Sequence, residues 1–463
     1  MMQYQPRNDW LARARDKIRA AGPPTLPVTG DAIDDVRSRR VLDLATRIGE
    51  RTLASGASAN DVTVSILRVT DAYGLRPVSV DVTYTSINVS YHRGDDHEPL
   101  TMLRVVRKRV TDFTALQSLL ELIDAISKGE SLDSARERYA TITHTPRPYR
   151  DLIVTLANGL LTIGVCMLMG AGLLIGAIAF VAAALVSVVQ RLLGRWAVPS
   201  FFSQAAGGLV VTATAMGVTA LAANDVWRFA EMRPSIIVSA GIVLMLSGMS
   251  VVGSAQDAID GFYLTAAGRV FEVMILTMGI IAGILLGLSI GQRAGYAVLV
   301  TSAQQPFGTV AQQLIGVAII ATMYGIGNYA GFRTVLGCLA MGVVGWGAYL
   351  LALHVGLGQA TASGFGALVG SFLSMLVARR LRLPALALTT ACIVPLVPGS
   401  LVFRGLLEVV EAEGAATGMI TGAATLVGAA GVGLALAAGT SLGAFMGRPV
   451  RDTLTRAVRL RRR

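Results

Sequence analysis

The stretch IVPLVPGSLVFRG (Ile393–Gly405) interrupts a long apolar run with Pro395, Pro398, Gly399 and Arg404. Proline removes a backbone N–H donor and clashes with a carbonyl of the preceding turn, so it breaks or kinks a helix. In lipid, each backbone group freed in this way costs several kcal/mol unless something satisfies it. We therefore expect this break to lie where its backbone groups face protein or a water-filled cavity.

The apolar excess around this break indicates the class of protein. The chain has 463 residues, a mean hydropathy of +0.60 and 15% charged residues, whereas soluble domains carry about 25%. The excess starts near Leu152 and ends near Phe445, between a segment of ordinary soluble composition and a short basic tail. The sequence predicts a polytopic α-helical membrane protein with an N-terminal α/β domain. Its first residues lack the apolar core of a signal peptide.

Apolar runs close to the ~20 residues that a crossing helix needs predict ten transmembrane helices. They are Leu152–Met169, Gly172–Gln190, Pro199–Ala222, Pro234–Gly253, Ala266–Ile290, Thr309–Asn328, Thr334–Leu353, Ala360–Val377, Pro384–Val410 and Ala415–Phe445. Basic residues concentrate in alternate loops and in the C-terminal tail, as they do on the cytoplasmic side of membrane proteins. An even number of spans puts both termini on that side, so we predict cytoplasmic N- and C-termini.

Two stretches of the apolar region resemble each other, namely PSIIVSAGIVLMLSGMSVVGSAQDAIDG (234–261) and PALALTTACIVPLVPGSLVFRGLLEVVE (384–411). Each starts with proline, runs apolar for about twelve residues, reaches a small or breaking cluster and continues into a polar helix end. The helix after each carries glycine every fourth residue, which favours close helix packing. We therefore predict two five-helix halves, inverted because five is odd, a hallmark of secondary transporters. The predicted division is a flexible tail (1–35), a cytoplasmic α/β domain (36–146), the first repeat (147–300), the second repeat (301–447) and a basic tail (448–463).

Residues at the two breaks are the candidates for a substrate site, because such transporters bind substrate where their helices are broken. The candidates are Ser247, Gly248, Ser250, Gln256, Pro398, Gly399, Ser400 and Arg404. A proline kink used only for packing is the alternative. Breaks at corresponding places in two halves favour the functional interpretation.

Ionisable groups in or beside the spans are expensive and are functional candidates by default. We predict proton-coupling roles for Asp257, Asp260 and Glu408, with Asp257 the best candidate because it follows a helix break. The alternative is an interfacial residue that only ends a helix, and it applies most to Asp260, Arg269 and Glu272.

Other functional classes find little support in the sequence. GTSLG (Gly439–Gly443) matches a nucleophile motif but lacks its strand–turn–helix context, so we predict packing there and no catalytic residue. The three cysteines lie inside apolar runs and the four histidines are scattered, so we predict no metal site and no cofactor. The net charge of +11 is not accompanied by base-stacking aromatics, so we predict membrane lipids as its partner and not nucleic acid.

The chain resembles the threonine/serine exporters of actinobacteria over nearly its whole length. The resemblance rests on ASGASANDVTVSILRVTDAYGLRPVSVDVTYTSINV (54–89), SAGIVLMLSGMSVVGSAQDAIDGFYLTAAGRVFE (239–272) and ACIVPLVPGSLVFRG (391–405). It implies a plasma-membrane carrier that expels L-threonine and L-serine and is driven by the proton motive force. A gradient-independent channel or facilitator and a non-transporting assembly subunit remain the alternatives, and a homo-oligomer is compatible with the sequence.

Overall fold

The structure is a computed structural model that describes residues 35–93, 98–106, 110–224, 234–245, 248–295, 307–397, 401, 404–405, 408–409 and 416–460. The predicted N-terminal tail lies outside these residues except for Asp35. Part of each predicted break also lies outside them.

Residues 35–144 form the N-terminal unit, which has four helices and an antiparallel sheet of strand order β1-β2-β3. Its elements are α1 (Asp35–Ala54), α2 (Ala59–Ala72), β1 (Val78–Val82), β2 (Ser86–Tyr91), β3 (Leu100–Val105), α3 (Phe113–Ile126) and α4 (Leu132–His144). Helices and strands together agree with the predicted α/β domain. Ser58 caps α2, because its side chain accepts a hydrogen bond from the backbone N–H of Asp61.

The core of the N-terminal unit lies between the sheet and the helices. Val80 pairs with Val89, and Val89 pairs with Met102, so one face of the sheet carries a continuous apolar row. Fully buried Ile48 of α1 and Ile66 of α2 belong to the same cluster. Alternation along the strands and helical periodicity along α1 and α2 therefore bury their apolar faces against each other.

Eight further helices are long and apolar enough to cross a membrane. They are α5 (Asp151–Leu168), α6 (Leu173–Arg195), α7 (Ser200–Ala223), α10 (Tyr263–Arg293), α11 (Val310–Gly327), α12 (Phe332–His354), α13 (Gln359–Leu381) and α15 (Ala416–Leu460). Their outer faces suit lipid: Val181, Leu185 and Val188 of α6 are about half exposed at helical spacing. The chain is a multi-pass membrane protein, and eight of the ten predicted spans correspond to these helices.

The predicted fourth and ninth spans are shorter helices. The fourth consists of α8 (Pro234–Met245) and α9 (Gly248–Ile259), and the ninth begins with α14 (Ala385–Ile393), which tightens into a 3₁₀ turn at Val394–Leu396. Neither α8 nor α14 with its 3₁₀ turn reaches the length of a crossing helix. The described part of the ninth span thus loses its α-helical geometry at Pro395, as expected from the loss of a backbone donor at proline.

Small residues let the long helices approach closely. A Cβ on Gly164 of α5 would lie 2.8 Å from the carbonyl oxygen of Gly316 on α11, and a Cβ on Gly316 would lie 2.6 Å from the carbonyl oxygen of Gly164. The Gly308 N–H, just before α11, donates to the carbonyl of Leu168 at the end of α5. Helices α5 and α11 are thus antiparallel and in backbone contact.

The predicted glycine ladders pack two further helix pairs. A Cβ on Gly283 of α10 would lie 1.9 Å from the carbonyl oxygen of Ala205 on α7, and a Cβ on Gly439 of α15 would lie 2.1 Å from that of Gly364 on α13. Gly443 likewise faces the carbonyl oxygen of Leu368. The packing interpretation of the GTSLG stretch is therefore confirmed.

Candidate functional site

Each break leaves helix ends inside the apolar part of the protein. Helix α8 ends at Met245 and α9 begins at Gly248. On the other side, Val397 follows the 3₁₀ turn with extended backbone, at φ −65° and ψ 131°. The end of a helix has N–H or C=O groups without intrahelical partners. Extended backbone at Val397 thus makes polar groups available at the second break, whereas residues 246–247 of the first break lie outside the described residues.

Both breaks contact one buried apolar cluster, which we call the central cluster. Ile236 and Ala240 of α8 and Val252 of α9 belong to it, together with Ile393 of α14 and Leu396 of the 3₁₀ turn. Side chains from α5, α6, α11, α12, α13 and α15 complete it. The structure therefore brings together two segments that lie about 150 residues apart in the sequence.

Aromatic residues line one part of the central cluster. The Trp346 ring meets the Phe307 ring at a centroid distance of 5.7 Å and the Tyr349 ring at 4.8 Å. Trp346 Nε1 donates to Gln313 Oε1 at 3.2 Å, and Gln313 Nε2 donates to the carbonyl of Gly308 at 2.7 Å. These bonds fix the indole and amide orientations. The sequence reasoning did not select these residues, because a lone Trp or Gln in an apolar run carries no local signal.

The structure describes half of the predicted substrate residues. Gly248 begins α9, and Ser250, Gln256 and Arg404 are half-buried; Ser247, Pro398, Gly399 and Ser400 lie outside the described residues. Thr389 and Thr390, which precede the second break, are buried, and Thr390 Oγ1 donates to the carbonyl of Ala387.

Asp257, the leading proton-coupling candidate, is fully buried in an ion pair. Its Oδ2 lies 3.0 Å from Nε of Arg269, without the alignment of a hydrogen bond, and its Oδ1 accepts from the backbone N–H of Ala59 at 3.1 Å. Arg269 Nη2 donates to the carbonyl of Ala57 at 3.2 Å. Both ions are therefore held by the loop between α1 and α2 of the N-terminal unit.

The α9–α10 turn creates this ion pair. Gly261 adopts a positive φ of 90°, which reverses the chain so that α10 returns along α9. Gly253 leaves room for the guanidinium, since a Cβ there would lie 2.5 Å from Arg269 Nη1. Asp257 follows Gly248 by nine residues, about 14 Å along a helix axis. Asp257 is thus separated from the first break in the structure. The four-residue spacing of Gly253, Asp257 and Gly261 was the sequence pattern from which the ion pair could have been predicted.

The other two acidic candidates lie elsewhere. Asp260 is exposed in the turn that follows α9. Glu408 is half-buried and accepts a hydrogen bond from Thr425 Oγ1 of α15 at 2.8 Å. Within the described ranges, no three His, Cys, Asp or Glu side chains group as metal ligands. Cys166, Cys338 and Cys392 are buried free thiols.

Comparison with known proteins assigns the chain to a family. A sequence model described as "Putative threonine/serine exporter" matches residues 43–291, and one described as "Threonine/Serine exporter, ThrE" matches residues 313–446. The "Probable threonine/serine exporter" of Mycobacterium tuberculosis is 34% identical over 458 residues, 95% of this chain and 82% of that protein. The chain belongs to the threonine/serine exporter family. The "Threonine/serine exporter" of Corynebacterium glutamicum is 30% identical over 434 residues, 93% of this chain and 86% of that protein.

Membership in the exporter family agrees with the resemblance drawn from the sequence and makes the chain a transporter, not an enzyme. The first match covers the N-terminal unit from within α1 and the helices α5–α10. The second covers most of α11 and continues into α15. No solved structure matches the chain. The exporter's two broken helices therefore fall one in each match.

Proposed function

We propose that this protein is a secondary exporter that carries L-threonine and L-serine out of the cell and is driven by the proton motive force. The observation that carries the proposal is that the segments on either side of the two predicted breaks meet at one buried cluster. In secondary transporters, broken helices place unpaired backbone groups at the substrate site near the middle of the membrane. The family names of its relatives supply the substrate class.

The proposal treats the membrane part as ten helices in two inverted halves, residues 147–300 and 301–447, behind a cytoplasmic domain at 36–146. The packing of the described helices supports it. Helix α7 packs on α10 through glycine, and α13 packs on α15 in the same way. Helices α5 and α11, the first of each half, cross antiparallel at Gly164 and Gly316. Inverted halves would place these two glycines beside a pseudo-twofold axis.

A zwitterionic substrate fits the ends of the broken helices. The N-terminus of α9 carries partial positive charge and N–H groups that suit a carboxylate, whereas the C-terminal carbonyls of α8 and of the 3₁₀ turn suit an ammonium group. Arg404 is proposed as a second carboxylate partner. Ser247, Ser250, Gln256 and Ser400, with Gly248, Pro398 and Gly399, are proposed to orient the substrate.

Protons are proposed to act through Asp257, Asp260 and Glu408. The buried geometry of Asp257 gives a physical reason: a proton on this carboxylate removes the charge that Arg269 and the Ala59 N–H stabilise. Removing one charge of a buried pair leaves the other without compensation, which is strongly unfavourable. Protonation would therefore change which conformation the carrier prefers.

The orientation proposed for the protein has both termini in the cytoplasm and the carrier in the plasma membrane among its lipids. The N-terminal unit contacts the α9–α10 turn and the α11–α12 turn, so these turns share its side of the membrane. Basic residues at the helix ends of that side, such as Arg195 and Arg379, agree with a cytoplasmic placement. Homo-oligomerisation stays a prediction.

An efflux assay tests the proposal. Cells without their own exporter are loaded with threonine as a dipeptide, with and without this protein, and a protonophore collapses the proton gradient midway. We expect protein-dependent efflux of threonine and serine that stops with the gradient. Efflux that persists would indicate a facilitator. Absence of efflux despite normal membrane expression would refute an exporter of these amino acids.

A further inference from the structure

The N-terminal unit touches both groups of membrane helices, and the first contact is built around polar groups, beside Phe262, which packs on the core of the unit. It consists of the Asp257–Arg269 pair, which binds the backbone of Ala57 and Ala59, and of Thr265 Oγ1, which donates to the carbonyl of Val82 at 3.0 Å. We call this the polar contact. All of its membrane-side residues belong to α9 and the start of α10.

The second contact is apolar and involves α3. Phe113 and Leu116 are nearly fully buried and join a cluster with Ala387 and Leu388 of α14. The ring of Phe113 packs on Tyr324 of α11 at a centroid distance of 6.2 Å. We call this the apolar contact, and it places side chains of the N-terminal unit directly against the helix that leads to the second break.

Backbone bonds and the chain itself strengthen the apolar contact. The Phe113 N–H donates to the carbonyl of Asn328 at 3.0 Å, and Thr114 Oγ1 donates to that of Tyr329 at 2.5 Å. Farther along the chain, the Arg147 guanidinium lies 4.9 Å from the centre of the Tyr329 ring, and the Tyr149 hydroxyl donates to the carbonyl of Ala330. The connection to α5 thus also follows the α11–α12 turn.

The two contacts respond differently to separation. Exposing buried aromatic and aliphatic side chains to water is unfavourable, so opening the apolar contact loses the whole free energy of their burial. Separated ions recover their hydration, which offsets much of the lost attraction between Asp257 and Arg269. The polar contact is therefore the one that can open and close at low cost.

We propose that the N-terminal unit is the inner gate of the exporter, that it moves together with α11–α14, and that the polar contact opens and closes in every transport cycle. The inference rests on the proposed function, because rocking of one half against the other is what a secondary transporter requires. A rigid unit that contacts both halves cannot keep both contacts during such a motion. The contact that it keeps is the apolar one.

A disulfide across the polar contact tests the gate. An ideal Cβ on Gly268 of α10 lies 2.9 Å from Cβ of Tyr84 in the β1–β2 loop, and a disulfide needs a Cβ separation of about 3.5–4.5 Å, so a small shift of that loop permits the bond. The three native thiols are buried and compete little for a mild oxidant. We expect oxidation of the Tyr84→Cys/Gly268→Cys variant to stop threonine efflux, and reduction to restore it.

A matched pair across the apolar contact serves as the control. Thr334 Oγ1 and Gln117 Oε1 lie 3.4 Å apart, so Gln117→Cys and Thr334→Cys are within reach of a short thiol-specific cross-linker. We expect cross-linking here to leave efflux unchanged. Mass spectrometry of the cross-linked peptides establishes that each bond has formed in full-length protein in the membrane.

The outcomes separate the gate from the proposed function. Unchanged efflux with the first pair oxidised would overturn the gate, and loss of efflux with the second pair cross-linked would overturn the joint motion with α11–α14. In both experiments the reduced or untreated variant must export threonine. If that protein and the native protein export nothing, the proposed function fails instead.

Discussion

Replacing Gly283 of α10 by alanine should separate two membrane helices. The added Cβ would lie 1.9 Å from the carbonyl oxygen of Ala205 and 2.7 Å from its carbonyl carbon, whereas ordinary contact begins at 3.4 Å. The helices must therefore move apart by about 1.5 Å at this point, because backbone atoms cannot rotate away as a side chain can. A gap of 0.5–1 Å already forfeits a quarter to a half of a dispersion contact.

The expected cost follows from this separation. Overpacking of a core typically costs about 1–3 kcal/mol, and the upper end applies here since the obstacle is backbone. Alanine also favours helix over glycine by about 1 kcal/mol, which offsets part of the loss. Gly439→Ala should behave in the same way, because its Cβ would lie 2.1 Å from the carbonyl oxygen of Gly364.

Thermal unfolding of the purified protein in detergent measures the effect, with threonine efflux as a second readout. Gly431→Ala is the control on α15, since a Cβ there meets nothing within 4 Å. It should unfold at or slightly above the native temperature, and both ladder variants should unfold several degrees lower. Equal stability of Gly283→Ala and Gly431→Ala would refute the reasoning.

Four other changes probe the site and the N-terminal unit. Asp257→Asn and Arg404→Gln should each abolish efflux in the assay above without abolishing expression, because one loses a buried charge and the other a proposed carboxylate partner. Phe113→Ala should cost about 3–5 kcal/mol of docking and folding free energy, which faster hydrogen exchange across α3 would reveal. Burial alone would raise the pKa of Asp43, but hydrogen bonds and charges from two neighbouring arginines outweigh it and hold the pKa below 3.8. A depressed folded-state pKa stabilises above the unfolded value, so Asp43→Asn should lower stability by about 1 kcal/mol at neutral pH, and this difference should shrink as the pH falls below 3.8.

Matched variants serve as controls for these predictions. Asp133→Asn removes a carboxylate that is 77% exposed and should export normally. Leu120→Ala truncates an exposed side chain on the same helix as Phe113 and should leave hydrogen exchange of α3 unchanged. Native efflux by both Asp257→Asn and Arg404→Gln would remove those residues from the mechanism. A difference between Asp43→Asn and the native protein that does not change with pH would contradict the charge-based account.

The elements of this protein were largely predictable from local patterns. Unbroken apolar runs predicted the eight long helices. The break in the ninth span was predictable too, because proline acts on the backbone where it stands. The expectation that the two segments share a site came from comparing two distant stretches of sequence. No local pattern indicated a contact between them.

The surroundings of Asp257 show where sequence reasoning ended. Its partners are Arg269, across a turn, and the backbone of Ala59, which lies 198 residues away. The position of Asp257 in the sequence suggested that it lies beside the break. In the structure, its carboxylate instead contacts the N-terminal unit. A carboxylate in an apolar helix indicates that a partner is needed. The sequence does not identify which partner it contacts.

The sequence by itself therefore determined the membrane class, the positions of the helices and the two breaks, since hydropathy and backbone chemistry act over one or two helical turns. Only the tertiary structure decided that the N-terminal unit binds both groups of membrane helices, with an ion pair on one side and Phe113 on the other. Such contacts depend on the shapes of surfaces assembled from distant segments. No stretch of the chain carries that information alone.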